Sequence, residues 1–186
     1  MERLVIDHLA SVKELSELYC DIPQMDDFIH NGGLEQSVRN NYCKAYSVKN
    51  EAGELVAFFA LSFDSLRLDA DDMEVLQNGW TDTSVPQPTA EYMDTFWSKV
   101  HYPALEIAYL AVAKKHQHKD IGTYIVKKIR EKALSQNLAG CQFLTVGALV
   151  LPEYSAVGFY RKCQFAQLDT FPVHDVVRMY HNLLTK

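Results

Sequence analysis

The feature that most constrains this chain is an apolar segment that runs through a short polar loop into an amphipathic helix. Residues 105–112 are apolar and suit a buried strand. Residues 120–132 follow, with lysines on one side and apolar residues at four-residue spacing on the other, namely Ile121, Ile125, Ile129 and Ala133. A loop that enters a helix presents free backbone N–H groups and the positive end of the helix dipole, so this segment predicts an anion site.

Predicted strands and helices alternate along the rest of the chain. Strands are predicted at residues 43–48, 55–63, 105–112, 142–149, 165–168 and 175–180. Helices are predicted from Ser11 and at residues 25–29, 71–76, 91–100, 120–132 and 152–162. This order favours the α/β class, with a mixed sheet covered by helices on both faces. At 186 residues, we expect a single domain spanning 1–186 with an irregular insertion around residues 64–102.

The charge and composition of the chain limit which ligands and partners we expect, namely nucleic acid, metal ions and membranes. The formal net charge is −6, which argues against a nucleic-acid partner. The four cysteines show no metal-ligand spacing, and His116 and His118 have no neighbouring carboxylate or cysteine to complete a set, so we expect reduced thiols and no metal. No apolar run resembles a signal sequence or reaches the roughly 18 residues of a membrane span, which predicts a cytoplasmic protein.

Residues 110–123 resemble motif A of the GNAT acetyltransferase superfamily, in which a Leu-Ala-Val strand end is followed by Gln and then Gly at a helix start. The resemblance implies a mostly antiparallel sheet of about six or seven strands and acetyl-CoA as cosubstrate. The loop amides would hold its pyrophosphate and the strand end its pantetheine arm. The cofactor-binding residues so implied are Leu110, Ala111, Val112, Gln117, His118, Lys119, Asp120, Ile121, Gly122 and Thr123.

One position in this loop departs from the family pattern. The family usually has glycine where this chain has Asp120. The aspartate either caps the helix, a role that this residue type fills well, or places a like charge beside the pyrophosphate. Lys114, Lys115 and Lys119 could offset that charge or could simply be solvated.

Residues 156–165 resemble motif B of the same family. The resemblance implies that Tyr160 is a general acid, because a phenol can protonate the thiolate that leaves when an amine attacks a thioester. The alternative is a tyrosine that closes a helix against the sheet. Gln164 stands where glycine is usual, so we expect the turn into the last strands to differ.

Residues 105–112 also resemble the strand of the histone-acetylating branch, where the glutamate matching Glu106 is the general base. A carboxylate poised by partial burial can take the proton of an acceptor amine. An exposed residue at the strand edge is the alternative for Glu106.

The nearest resemblance is to acetyltransferases of bacterial toxin–antitoxin pairs, carried by residues 61–68 and by Tyr102-Pro103. It implies aminoacyl-tRNA as acceptor and leaves an antitoxin partner open. Separately, the aromatic residues of the irregular stretch could roof the acceptor site or form the contact of a homodimer, namely Trp80, Phe96, Trp97 and Tyr102. The acidic balance argues against aminoacyl-tRNA, so we expect a primary amine of a small molecule or peptide, attacked directly in a ternary complex. A toxin-type enzyme and a non-catalytic acyl-CoA-binding module, the latter suggested by Asp120, Glu153 and Gln164, are the alternatives.

Overall fold

The computed structural model describes residues 3–79, 87–168 and 173–184. Within these ranges, eight strands and six α-helices alternate, and the strands pair mostly antiparallel. This confirms the predicted α/β class, with two strands of only two residues bringing the count to eight. The contacts divide the chain into two compact units. Unit 1 comprises Met1–Ser62 with Ile107–Lys128, and unit 2 comprises Phe63–Glu106 with Ile129–Lys186.

The strands are β1 (Val5–His8), β2 (Lys44–Lys49), β3 (Leu55–Arg67), β4 (His101–Val112), β5 (Phe143–Leu151), β6 (Tyr154–Ser155), β7 (Ala166–Gln167) and β8 (Val176–Asn182). The α-helices are α1 (Pro23–His30), α2 (Gly33–Arg39), α3 (Ala70–Gly79), α4 (Met93–Trp97), α5 (Ile121–Ser135) and α6 (Val157–Lys162). Short 3₁₀ turns lie at Val12–Leu15, Ala90–Tyr92 and Lys114–His116.

Unit 1 is built on the order β1-β2-β3-β4. Strand β1 pairs antiparallel with β2 from Val5↔Lys49 to His8↔Tyr46, and β2 pairs antiparallel with β3. A core that includes the fully buried Leu15, Leu18 and Leu34 fills this unit. Burial of such side chains stabilises each by about 1.5–3 kcal/mol relative to exposure.

Unit 2 is built on the order β4-β5-β8-β7, with β6 paired to β5. Strands β5 and β8 pair antiparallel over seven residues, from Phe143↔Asn182 to Leu149↔Val176. An aromatic core fills this unit, formed by Phe96, Tyr102, Phe143 and Tyr180 with aliphatic neighbours. The Tyr102 hydroxyl donates to the Phe96 carbonyl at 2.9 Å, so its one polar group is satisfied where it is buried.

Several predicted elements differ from the structure. The predicted helix at residues 152–162 is wrong in its first half, where a turn and the short strand β6 precede α6. The helix predicted from Ser11 is a single 3₁₀ turn, which ends after one turn although Ser11 and Glu14 form a capping box. Strand β1 and helix α2 were not predicted. Part of the predicted insertion, residues 80–86, lies outside the described residues.

Candidate functional site

The loop between β4 and α5 is tied to the unit 1 scaffold at several points. The Ala113 amide donates to the Val56 carbonyl at 2.9 Å, and the Lys114 amide donates to the Tyr19 carbonyl at 2.8 Å. The Gln117 side-chain nitrogen donates to two carbonyls, that of Cys20 at 2.8 Å and that of Val112 at 3.2 Å. The Gln117 side chain is therefore a brace for the loop, and its backbone amide also donates within the loop, to the Lys114 carbonyl at 3.3 Å.

Helix α5 begins where the sequence predicted, and its first turn leaves amides free. The Asp120 carbonyl accepts from the Tyr124 amide at 2.9 Å, which makes Asp120 the residue before the first helical one. Within the described ranges, the amides of residues 120–123 donate to no protein acceptor. Four such donors at the positive end of a 15-residue helix form a site suited to an anion.

Two residues of the loop adopt left-handed backbone. His118 has φ 59° and Asp120 has φ 58°, a region that glycine enters without strain and that aspartate tolerates better than most residues. The usual family glycine at the Asp120 position is thus replaced without loss of the backbone shape. Asp120 occupies the N-cap position through its backbone, while its exposed carboxylate makes no hydrogen bond within the described part of the chain.

The lysines near the loop are held by other groups of unit 1. Lys114 lies 2.7 Å from an Asp21 carboxylate oxygen, Lys115 pairs with Glu54, and the Lys119 ammonium donates to the Lys115 carbonyl at 3.0 Å. Hydrogen bonds from Lys115 and then His116 lower the pKa of Glu54 to about 2. In the described structure, none of the three lysines pairs with Asp120.

Tyr160 lies on α6 in unit 2 and is only 6% exposed. Its ring packs edge-on against Phe159 and Phe165, with ring centroids 4.9 and 5.4 Å apart. Burial raises the pKa of its phenol well above the usual value, and the neighbouring Tyr154 and Cys163 add to the effect. The hydroxyl is therefore protonated at neutral pH, which is the state that a general acid requires.

The turn after Tyr160 keeps the glycine-like backbone that the motif needs. Gln164 has φ 67°, and its carbonyl lies 2.9 Å from the His181 ring nitrogen Nδ1, which donates to it. We expected this turn to differ because it lacks glycine. Glutamine nevertheless adopts the left-handed backbone conformation here, which glycine enters without strain.

Glu106 lies on β4 and is engaged in an ion pair rather than exposed at a strand edge. One Arg178 guanidinium nitrogen donates to its carboxylate at 3.1 Å, and Arg178 also pairs with Asp64. Sequence reasoning missed Asp64 and Arg178. The signal was present, because each is a charged residue inside an apolar strand, and such a residue is rarely buried without a partner.

The structure places the ten predicted cofactor-binding residues together in unit 1, and it places Tyr160 and Glu106 in unit 2. None of the four cysteines, all of which lie in the described ranges, forms a disulfide, and burial raises the pKa of the Cys20 thiol to about 12. No set of three His, Cys, Asp or Glu side chains in the described ranges is arranged to hold a metal ion. Over the same ranges, no helix combines the length and the apolar character needed to cross a bilayer.

Residues 89–167 match the family model of the acetyltransferase (GNAT) domain, a segment that contains Glu106, the whole loop and Tyr160. No curated protein matches the chain. The chain is similar in structure to a bacterial toxin, with 20% identity, a TM-score of 0.69 and coverage of 98% of this chain and 92% of that one. It is also similar to AtaTR bound with AcCoA, with 18% identity, a TM-score of 0.66 and coverage of 97% and 94%.

A third similar structure is AtaT complexed with acetyl-methionyl-tRNAfMet, with 16% identity, a TM-score of 0.62 and coverage of 95% and 94%. At these identities the structural likeness concerns the fold. Together with the family match, it confirms the predicted resemblance to the superfamily and, in fold, to its toxin branch.

Proposed function

We propose that this chain is an acetyl-CoA-dependent acyltransferase of the GNAT type, which transfers acetyl to a primary amine of a small molecule or peptide. Residues 89–167, which match the acetyltransferase (GNAT) family model, support this proposal. The observation that carries the proposal is the set of four unpartnered amides at residues 120–123, which follow a strand end inside the matched segment. The whole chain, residues 1–186, is proposed to act as one acetyltransferase-like domain in the cytoplasm, with residues 64–102 as its insertion.

The loop residues supply the binding of the cosubstrate. In this proposal the amides of residues 120–123 donate to the diphosphate of acetyl-CoA, and the backbone of residues 110–112 pairs with the pantetheine arm. Because Gln117 already braces the loop, these donors are in place before the ligand arrives.

Two side chains supply the proton transfers. Glu106 accepts a proton from the acceptor ammonium, and the neutral amine then attacks the thioester carbonyl directly. The C–N bond forms as the C–S bond breaks, and the Tyr160 hydroxyl donates its proton to the departing thiolate. The attacking nitrogen loses its remaining extra proton, which returns to the Tyr160 oxygen, so the products are the amide and the free CoA thiol.

A second candidate acceptor is aminoacyl-tRNA, favoured by the likeness over nearly the whole chain to AtaT complexed with acetyl-methionyl-tRNAfMet. The net charge of −6 favours a small acceptor. Similar structures also include an AtaT variant bound to the C-terminus of the antitoxin AtaR and the KacTA–DNA complex, which support an antitoxin as a candidate partner. A homodimer is a further candidate assembly.

Calorimetry with acetyl-CoA and an acceptor panel read by free thiol release test the proposal. We expect saturable acetyl-CoA binding and turnover with aliphatic amines or peptides. Absence of binding would refute the proposed site, and binding without turnover on amines, peptides and charged tRNAs would favour a non-catalytic acyl-CoA-binding module. Turnover confined to charged tRNA, with a KM that rises steeply with salt as phosphate contacts are screened, would select the second acceptor.

A further inference from the structure

A row of four polar side chains crosses four strands in unit 2. Arg178 of β8 donates through Nη1 to the Glu106 carboxylate of β4 at 3.1 Å, and its Nη2 pairs with Asp64 of β3. The hydroxyl of Thr145 on β5 donates to the same Asp64 oxygen. We call these residues the Asp64–Arg178–Glu106 row, with Thr145 as its anchor.

The row contains two carboxylates and one guanidinium. The side chains of Asp64, Glu106 and Arg178 are 19%, 18% and 29% exposed, so water screens their charges only in part. Both carboxylates therefore contact the same guanidinium in partly screened surroundings.

The two ion pairs of Arg178 are made by separate nitrogens. Glu106 binds at Nη1 and Asp64 at Nη2, so one bond can break while the other holds. Thr145 is fully buried and fixes the Asp64 side of the row. Glu106 is thus the carboxylate that can leave Arg178 without leaving the guanidinium uncompensated.

We propose that Arg178 is a positioning residue for the Glu106 carboxylate, and that Asp64, held by Thr145, keeps Arg178 in place while Glu106 accepts a proton from the acceptor ammonium. This inference rests on the proposed function, in which Glu106 is the base. An N–H bond of the ammonium breaks and an O–H bond forms on Glu106, leaving a neutral amine and a neutral carboxyl. The Arg178–Asp64 ion pair remains in place after the transfer.

The competing role for the row is purely structural, and the two roles differ in what a substitution changes. A structural ion pair would lower thermal stability when broken and leave kcat per folded molecule unchanged. Substitution of a positioning residue that acts through Glu106 lowers kcat, but only in a protein that still has the Glu106 carboxylate.

A double-mutant cycle with Glu106→Gln and Arg178→Met separates the two roles. For each variant, kcat and KM are measured with the best amine of the panel, alongside Tm and acetyl-CoA affinity by calorimetry. We expect Arg178→Met to lower kcat on the order of 10-fold or more with KM and acetyl-CoA affinity nearly unchanged. In the Glu106→Gln background the same substitution should lower kcat no further. Arg178→Lys should restore part of the loss.

Arg67→Met is the matched control, because Arg67 is an exposed arginine on the same strand as Asp64 and should keep the native kcat. Should Arg178→Met fail to fold, Asp64→Asn replaces it, with a smaller loss of kcat that is again absent in the Glu106→Gln background.

Equal losses of kcat in both backgrounds, a lower Tm with native kcat, or a native kcat in Glu106→Gln would each overturn the inference. A wild-type protein that releases no thiol with any acceptor would instead count against the proposed function itself. The two failures are therefore distinguishable.

Discussion

At the scale of single residues, two left-handed positions carry side chains where the GNAT family usually has glycine. Asp120 has φ 58° at the start of α5, and Gln164 has φ 67° after α6. A residue with a Cβ is sterically strained in this conformation, whereas glycine is not. Both turns keep the backbone shape that the motifs need, at some cost in stability.

Replacing Asp120 with glycine should have two effects. The Asp120→Gly variant should unfold at higher denaturant, by about 1 kcal/mol, because the left-handed strain is relieved. It should also bind acetyl-CoA more tightly, since an exposed carboxylate is removed from the anion site. Calorimetry and urea unfolding measure the two effects.

Gln164→Gly is the matched control for Asp120→Gly. It should gain a similar stability and leave acetyl-CoA affinity unchanged, because its side chain carries no charge. Equal acetyl-CoA affinities in wild type and Asp120→Gly would show that the Asp120 carboxylate points away from the ligand.

Tyr160→Phe tests the general acid at the same scale. The variant keeps the ring that packs against Phe159 and Phe165 and removes only the hydroxyl, so Tm should change little. The kcat should fall by about 100-fold, with acetyl-CoA affinity retained, because protonation of the leaving thiolate is lost. Phe159→Leu serves as a packing control with native kcat expected. A Tyr160→Phe variant with native kcat would exclude this residue as the acid.

At the scale of the elements, the close approach of α2 to α1 depends on Gly33. A Cβ at Gly33 would overlap the Phe28 ring, with Cε2 at 2.8 Å, and the ring cannot move freely because it stacks on Tyr109 at 4.2 Å. Gly33→Ala should therefore destabilise the protein by about 1–3 kcal/mol in urea unfolding.

Gly158→Ala is the opposite case within a helix. A Cβ at Gly158 would meet open space on α6, so alanine should stabilise the protein by roughly 0.5–1 kcal/mol through helix propensity. If Gly33→Ala and Gly158→Ala shifted the unfolding midpoint in the same direction, the overlap of a Cβ at Gly33 with the Phe28 ring would not explain the effect of Gly33→Ala.

The same elements show what the sequence could and could not predict. The four-residue apolar spacing that ends at Ala133 predicted the start of α5 to within one residue and its end to within three, because burial of one face decides a long helix. Strand β1 was missed because it is short and mostly exposed, and helix α2 was missed because Gly32 and Gly33 suggest a break. Gly32, with φ 90°, instead turns the chain directly from α1 into α2.

The candidate site was also only partly predictable from the sequence. Motif spacing located the loop and Tyr160, since both depend on local sequence. Arg178, the partner of Glu106, and Asp64, the second partner of Arg178, were not predicted, because they lie 72 and 42 positions from Glu106 along the chain and only strand pairing brings them near.

At the scale of the whole molecule, His181 and Glu54 contribute to the pH dependence of stability in two separate ranges. His181 is 7% exposed, and burial lowers the pKa of its imidazole, an effect that the nearby Arg130 reinforces and the Gln164 carbonyl opposes. Glu54 has a pKa lowered to about 2 by Lys115 and His116. The folded state therefore resists protonation at both groups, one in each unit.

The sign of each effect follows from linkage. Below about pH 6.5, the unfolded chain binds a proton at His181 more readily than the folded chain does. The contribution of neutral His181 to the free energy of unfolding is therefore complete above that pH and is lost as the pH falls toward the lower pKa of the folded state. The stability from Glu54 is full above about pH 4.5 and is lost as pH falls toward about 2.

His181→Phe should flatten the decline of Tm between pH 7 and roughly pH 5, with the range set by the ordinary pKa of histidine. The exposed His8 is the control, and His8→Gln should retain the native decline. Thermal unfolding followed by circular dichroism at a series of pH values measures both. An identical pH profile for His181→Phe and wild type would show that another group titrates in this range.

The brace that Gln117 forms between the Cys20 and Val112 carbonyls has a kinetic consequence. A loop whose shape is fixed in advance loses little conformational entropy when its ligand docks. Capture of the nucleotide should therefore show one concentration-dependent phase in stopped flow, with no slower isomerisation after it. Gln117→Ala should introduce that second phase and shorten the residence time of the bound nucleotide, while the encounter rate stays the same.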